Sequence, residues 1–209
     1  PYDRFDQTVA DAHRILAKHS RSFDWAARFL PDDRRDDAAV VYAFCRLVDD
    51  AADEADSPDQ ARGRLDDLEA ELRGRTGPRP IVEGFRRVAE RRDIDPAYAR
   101  ELMRGVASDL GTVRMSDDRE LLRYCYRVAG TVGLMMTPLL GVEDRSALPH
   151  AIDLGVGMQI TNICRDVLED ARNGRVYLPA ARLTSAGTSP QALLEGRADR
   201  QAVAGVVGD

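Results

Sequence analysis

Two acidic stretches far apart in the chain constrain its fold more than any other feature: Arg46-Leu47-Val48-Asp49-Asp50-Ala51-Ala52-Asp53 and Asn162-Ile163-Cys164-Arg165-Asp166-Val167-Leu168-Glu169-Asp170. In each, aspartates recur four residues apart in a helix-favouring setting, with an arginine close by. At about 100° per residue, Tyr42, Arg46, Asp49 and Asp53 fall within about 60° of one another, while Val41, Phe44 and Val48 point elsewhere. Gln159, Asn162, Asp166 and Asp170 form a second stripe by the same count. Like charges at this spacing destabilise a bare helix by about 0.2–0.5 kcal/mol, so acidic rows on helices that also carry an apolar face imply a cation between them. The oxygen-only donor set points to Mg²⁺.

Composition narrows the setting. The 209 residues suffice for one sizeable core and do not require two. Hydrophobic residues at 44% and charged residues at 32% are those of an ordinary globular protein. The formal charge is -6 and no basic run stands apart from acidic residues, which argues against a nucleic-acid surface. Lys18 is the only lysine, and the arginine bias runs through the whole chain, as genome composition would impose. Cys45, Cys125 and Cys164 are odd in number, widely spaced and set among apolar residues, the pattern of reduced core thiols in a cytosolic protein. His13, His19 and His150 are scattered, with no zinc-ligand spacing. No signal peptide opens the chain, and Pro1 in place of an initiator methionine suggests a trimmed start. The longest uncharged stretch, Val128 to Val142, is shorter than the roughly 18–20 residues a bilayer requires and reads as a buried helix.

Apolar residues recur at helical spacing in nearly every segment, and no sustained alternating run competes. A first helix is expected to about Ala17, followed by a break and cap at His19-Ser20-Arg21-Ser22-Phe23. Pro31-Asp32-Asp33 opens a long helix carrying the first acidic stripe, and Ser57-Pro58 starts another with Leu65, Leu68 and Leu72 as its apolar edge. Arg75 to Pro80 reads as a loop. Further helices are expected over Ile81–Arg91, Pro96–Leu110, Asp117–Leu140 and Leu148–Ala171. Gly174 to Leu183 reads as irregular, and Ser189-Pro190 begins a last helix ending near Val207. One all-helical domain is the economical architecture.

Two opposed carboxylate rows can hold hard cations that bridge to a substrate phosphate. A diphosphate held in that way becomes a good leaving group, because metal and nearby arginines neutralise the charge that develops as the C–O bond breaks. Arg46, Arg165 and Arg175 are placed to help. The implied substrate is an allylic diphosphate, with the uncharged Val128–Val142 helix available to line an apolar tunnel for its tail. Plainer readings exist for each part. A lone Asp-x-x-x-Asp is ordinarily a solvated helix face, and only the two stripes together argue for a site. The small residues of Val128-Ala129-Gly130-Thr131-Val132-Gly133 read first as close helix packing. Tyr42, Tyr124 and Tyr177 read as buried tyrosines, Ser20 and Ser22 as helix caps. Asp109 is undistinguished by spacing.

Four strings together resemble the squalene/phytoene synthase family. They are Ser20-Arg21-Ser22-Phe23, Tyr42 to Glu54, Tyr124 to Gly133, and Gln159 to Pro179 with its Gly174-Arg175-Val176-Tyr177-Leu178-Pro179 end. The resemblance runs over nearly the whole chain in order. It implies an all-α isoprenoid-synthase fold with a central cavity between two aspartate-rich helices, and head-to-head joining of two prenyl diphosphates through a cyclopropylcarbinyl diphosphate. By position, it implies that Asp49 and Asp53 hold Mg²⁺ from one side, and Asn162, Asp166 and Asp170 from the other, with Mn²⁺ as the alternative ion. Asp49, Asp53, Asp166, Asp170 and Tyr124 form the implied catalytic set. Ser20, Ser22, Tyr42, Arg46, Arg165, Arg175 and Tyr177 are implied diphosphate contacts, and Phe23, Asp109, Val128, Gly133 and Gln159 border the cavity.

The fate of the second cation separates the family's activities. Proton loss gives phytoene or, from farnesyl diphosphate, diapophytoene; hydride from NADPH gives squalene; water gives hydroxysqualene. The Val-Ala-Gly-Thr-Val-Gly and Gly-Arg-Val-Tyr-Leu-Pro stretches resemble the bacterial carotenoid branch, hence two geranylgeranyl diphosphates and phytoene, with NADPH needed only for squalene. A non-catalytic assembly relative is the competing class, disfavoured because the aspartates are present; a synthase or cyclase ionising a single prenyl diphosphate is disfavoured by the arginine-flanked second motif. Members usually carry further helices after the second motif, so residues 1–209 are expected to lack the C-terminal ones. Prenyl diphosphates are the expected partners, nucleic acid is not, and the sequence does not fix the oligomeric state. A cytoplasmic protein working peripherally at the inner membrane face is expected, without a visible anchor.

Overall fold

The computed structural model describes residues 2–208, with side chains from Phe5 onward; Pro1 and Asp209, the ends of the expected 1–209 domain, lie outside the described residues. Among the described residues the regular structure is helical, apart from one isolated parallel bridge between Arg114 and Val176. The order is α1 (Tyr2–His19), α2 (Arg21–Ala27), α3 (Asp32–Asp53), α4 (Pro58–Leu72), α5 (Pro80–Arg92) and α6 (Pro96–Ala107). Then come α7 (Asp118–Cys125), α8 (Thr131–Leu139), α9 (Leu148–Arg172), α10 (Ala180–Ser185), α11 (Pro190–Leu194) and α12 (Arg200–Gly208).

Local chemistry sets most of these boundaries. Ser57, Asp95, Asp117 and Ser189 each accept a hydrogen bond from a backbone N–H in the first turn of the following helix, and Pro58, Pro96 and Pro190 occupy first helical positions. Four expectations need correction. The segment His19–Phe23 is more than a break, because the Ser20 hydroxyl accepts from Phe23 N (3.3 Å) and so starts the short helix α2, with Ser22 inside it. The expected helix over Asp117–Leu140 contains a π-helical turn at Tyr126–Gly130 between α7 and α8. The stretch read as irregular to Leu183 already contains the start of α10. The last expected helix is two, because Gly196 at φ 65 ends α11, with Arg197 N closing back on Ala192 O (2.8 Å).

Two apolar cores follow. The larger joins α1, α3, α4, α5, α6 and α8, and holds Val41, Phe44 and Val48 from the face of α3 opposite its acidic stripe. Phe44 stacks on Phe85 of α5 with ring centroids 4.0 Å apart. The smaller core gathers Tyr124 and Cys125 of α7, Ile163 and Ala171 of α9, the 113–115 and 176–178 segments and the C-terminal short helices. Small residues let the neighbouring helices meet: a Cβ on Gly133 or Gly155 would stand 2.4 Å from the carbonyl oxygen of Ala151 or Ala129. Gly133 thus lets α8 and α9 approach closely. The uncharged stretch also leaves the interior at its end, where Leu140 and Val142 are exposed. No described helix is long and apolar enough to cross a membrane.

Asp37 on α3 is buried and is gripped from α5 by Arg91 and by Arg92 Nε at 2.6 Å. Losing Asp37 leaves Arg91 half exposed to water and Arg92 still paired with Asp33 at 2.6 Å, so the cost is that of lost charge-assisted hydrogen bonds, about 1.5–3 kcal/mol. Asp37→Ala is thus expected to lower the melting temperature by on the order of 10 °C. Asp32→Ala, which removes the partner of Arg35 from a side chain 88% exposed, should leave it nearly unchanged in the same thermal melts.

Candidate active site

The C-terminal half of α3, the end of α6 and the middle of α9 border a cavity of about 280 Å³. Its walls are Arg46, Asp49, Ala52 and Asp53 from α3, Val106 and Asp109 from α6 and the turn after it, Tyr124 and Val128 around the π-turn, and Gln159, Arg175 and Tyr177. The first acidic row faces it because Val41, Phe44 and Val48 hold the opposite side of α3 in the core, and the helical period then fixes where Arg46, Asp49 and Asp53 stand.

Arg175 and Tyr177 arrive by a different device. Gly174 takes φ 79 and closes α9, with Arg175 N donating to Asp170 O at 2.8 Å. The chain then runs extended along residues 113–116: Val176 N donates to Val113 O (3.1 Å) and Ala180 N to Met115 O (2.8 Å). Extended backbone alternates its side chains, so Val176 and Leu178 enter the smaller core while Arg175 and Tyr177 line the cavity.

Asp109 stands at the centre of this arrangement. The Tyr124 hydroxyl donates to its Oδ2 at 2.7 Å, and its Oδ1 is buried without a hydrogen-bond partner. The Tyr124 and Tyr177 rings stack with centroids 4.9 Å apart. Burial raises both phenols well above their ordinary value, so each stays a proton donor at neutral pH. Burial also raises the Asp109 carboxyl, against the lowering effect of the two tyrosine hydroxyls and Arg175, and with Asp53 adding to the rise. Asp49 is pushed up to about 7, first by burial and then by Asp53, Asp50 and Asp109, with Arg46 opposing. Asp170 rises for the same reason, burial first, then the Asp166 charge, with Arg175 opposing. The two rows therefore feel one another through Asp109 and Arg175.

Other site residues stand around this cavity rather than in its wall. Asn162 is half-buried one turn along α9 from Gln159. Asp166 is held by Arg165 through two bonds, at 2.8 and 2.6 Å, which keep its carboxyl below the ordinary range. Tyr42 lies one turn before Arg46, and Phe23 packs edge-on against it with centroids 6.2 Å apart, which brings Ser20 and Ser22 to that side of the site. Their hydroxyls lie 3.5 Å apart. Arg46 is paired with Asp50 while its Nε is buried without an acceptor. Ala52, Val106 and Asp50 were not foreseen, although Ala52 and Asp50 follow from the period of α3. The central position of Asp109 had no signal in its spacing. The thiols play no visible part, and burial holds Cys125 at about 12.

The donor set is chemically suited to a hard divalent cation: oxygen ligands only, several carboxylates raised by crowding and burial, and an orphaned Asp109 oxygen. Among the described residues no three acidic, histidine or cysteine side chains converge on one point. Mg²⁺ keeps several waters and takes substrate phosphates as ligands, so a protein site for it needs only one or two carboxylates. Asp49, Asp53, Asn162, Asp166 and Asp170 are the residues that would hold it, after release of the exposed Arg165–Asp166 pair, which is weak.

A family model described as "Squalene/phytoene synthase" matches residues 16–209. The chain is 39% identical over 192 residues to the 15-cis-phytoene synthase of Pantoea ananas, covering 86% of this chain and 62% of that protein. It is 41% identical over 188 residues to the phytoene synthase of Thermus thermophilus, covering 88% and 63% respectively. The chain thus spans about three fifths of the length of these curated relatives. Its fold matches a crystal structure of a dehydrosqualene synthase in complex with ligand, with a TM-score of 0.85 and 32% identity, over 100% of this chain and 73% of that one.

The raised Asp49 carboxyl has a consequence for stability. The folded chain keeps that proton to about pH 7, whereas the unfolded chain releases it near the ordinary carboxylate value of 3.8. Between the two the folded state binds more protons, so stability falls as pH rises through that window. Without divalent cations, Asp49→Asn should melt above the wild type at about pH 8 and level with it at about pH 4. Calorimetric scans in EDTA check this; equal melting at the higher pH would contradict it.

Proposed function

The chain belongs to the squalene/phytoene synthase family, and from that premise we propose that it joins two prenyl diphosphates head to head, with phytoene from two geranylgeranyl diphosphates as the product. The observation that carries this reading is the single cavity in which Asp49, Asp53, Arg46 and Arg175 surround the Asp109–Tyr124–Tyr177 cluster. Relatives at about two-fifths identity named as phytoene synthases support the product.

When bound between the rows, Mg²⁺ supplies neutralisation of the charge that develops on a departing diphosphate. Arg46, through its unpaired Nε, and Arg175 contribute planar donors to the diphosphate oxygens. The cavity is polar and about 280 Å³, smaller than the roughly 300–1,000 Å³ of drug-sized sites, so it suits the head group while the tails extend beyond it. Ala52, Val106 and Val128 give the apolar wall against which an allylic cation is kept from water. The second substrate's double bond attacks that cation, and the tertiary cation so formed closes a cyclopropane ring as it loses a proton to the departed diphosphate; the resulting cyclopropylcarbinyl diphosphate then loses its own diphosphate and rearranges. Tyr124, held by Asp109, keeps its hydroxyl fixed beside the reacting carbons. Proton loss then ends the sequence without NADPH. Peripheral contact with a membrane fits a hydrocarbon product.

The experiment offers the protein farnesyl and geranylgeranyl diphosphates with Mg²⁺, with and without NADPH, and identifies the hydrocarbon by mass. Phytoene from the twenty-carbon substrate without NADPH is expected; a terpene of one substrate's length would exclude coupling. Asp49→Asn and Asp166→Asn should each lower turnover by about 10²-fold or more while leaving the protein folded by circular dichroism. Near-normal turnover in either would remove that residue from the metal set.

A further inference from the structure

The π-helical turn at Tyr126–Gly130 forms part of the cavity wall through Val128, and Tyr124 stands just before it. Single wide turns of this kind are rare within α-helices and recur at functional sites. The Thr131 backbone N–H, which in an α-helix would serve the Arg127 carbonyl, donates instead to Tyr126 O. The hydroxyl of the fully buried Thr131 takes over, donating to Arg127 O at 2.7 Å. A buried carbonyl without a donor is costly, so this hydroxyl favours the wide turn over a narrower one.

Two glycines clamp the turn from opposite sides. A Cβ on Gly105 of α6 would lie 2.7 Å from Val128 Cγ1 and 2.8 Å from Arg127 Cβ. Across the turn, a Cβ on Gly155 of α9 would lie 2.4 Å from the Ala129 carbonyl oxygen. The turn therefore rests on both neighbouring helices and has no slack between them. Arg127 Nε also ties it to Glu101, one turn before Gly105 on α6, at 3.1 Å. We propose that Gly105 and Thr131 are positioning residues of the site: the missing side chain of one and the hydroxyl of the other hold the π-turn where Val128 completes the apolar wall and Tyr124 reaches Asp109. Neither lines the cavity itself. Bulk at position 105 cannot be met by retreat toward α9, because Ala129 already stands against Gly155, so it displaces Val128 within the wall. Arg46, Asp49 and Asp53 on α3 and Arg175 beyond α9 stay where they are. The consequence for a prenyl chain rests on the proposed function; the clamp on the turn does not.

Calorimetric titration in Mg²⁺ compares inorganic diphosphate with geranylgeranyl thiolodiphosphate, whose C–S bond resists ionisation, so no turnover is needed. Gly105→Ala is expected to weaken the prenyl analogue by about tenfold or more and to leave inorganic diphosphate within about twofold. Adding Val128→Ala, which removes the atom met first, should bring the analogue back to within about threefold of its binding to Val128→Ala alone. Thr131→Val should show the same split between the two ligands, and Thr131→Ser should bind both like the wild type. Equal loss of both ligands in Gly105→Ala would make the residue merely structural and overturn the proposal, as would wild-type binding of the analogue or a double variant no better than Gly105→Ala. Wild-type binding of the analogue by Thr131→Val would overturn the part assigned to the hydroxyl. A wild type that holds the analogue no more tightly than inorganic diphosphate would overturn the positioning and the prenyl site together. Tight binding that depends on Gly105, without any coupled product from the true substrates, would sink the proposed function alone.

Discussion

Everything near the cavity is organised around the cost of holding several carboxylates together out of water. Asp49, Asp109 and Asp170 are each raised above the ordinary range, with burial as the leading cause and one another's charge behind it. Arg46, Arg175 and the Tyr124 and Tyr177 hydroxyls oppose that cost, and Arg46 already serves Asp50. A group of like charges kept in this way is an unfavourable arrangement by itself. It becomes reasonable when a cation and a diphosphate complete it, the cation answering the carboxylates and the diphosphate answering the arginines.

The rest of the fold holds the pieces of that arrangement at the right separation. The larger core fixes the rotation of α3, and therefore which of its residues face the cavity. The smaller core holds the extended 174–179 segment against residues 113–116, and so delivers Arg175 and Tyr177 from outside any helix. The site lies where the two cores meet. Asp109, on the turn after α6, links them through its bond from Tyr124.

What could be read from the sequence, and what could not, divides along the same line. The acidic stripe on α3 was legible because a helical period within one element determines its own faces. The long helices α3, α4, α5, α6 and α9 were legible for the same reason, aided by proline and cap residues at their starts. The second stripe was legible as a row, but its partnering was not: Asp166 pairs with the adjacent Arg165 and does not line the cavity. Gly133 belongs to a motif whose small residues also let α8 approach Ala151 of α9, a contact with no signal beyond residue size. Asp109 carried no local signal at all, since its importance comes from tertiary neighbours. Short helices such as α2 and α10 escaped because pieces of one or two turns have little periodicity to show.

The central claim is that the two carboxylate rows and the arginines form one site for a metal-bound diphosphate. Calorimetric titration with inorganic diphosphate, in Mg²⁺ and again in EDTA, tests it without requiring turnover. The account predicts binding that needs Mg²⁺ and is lost in an Asp49→Asn, Asp170→Asn double variant. Equally tight binding in EDTA, or binding untouched by the double variant, would contradict it.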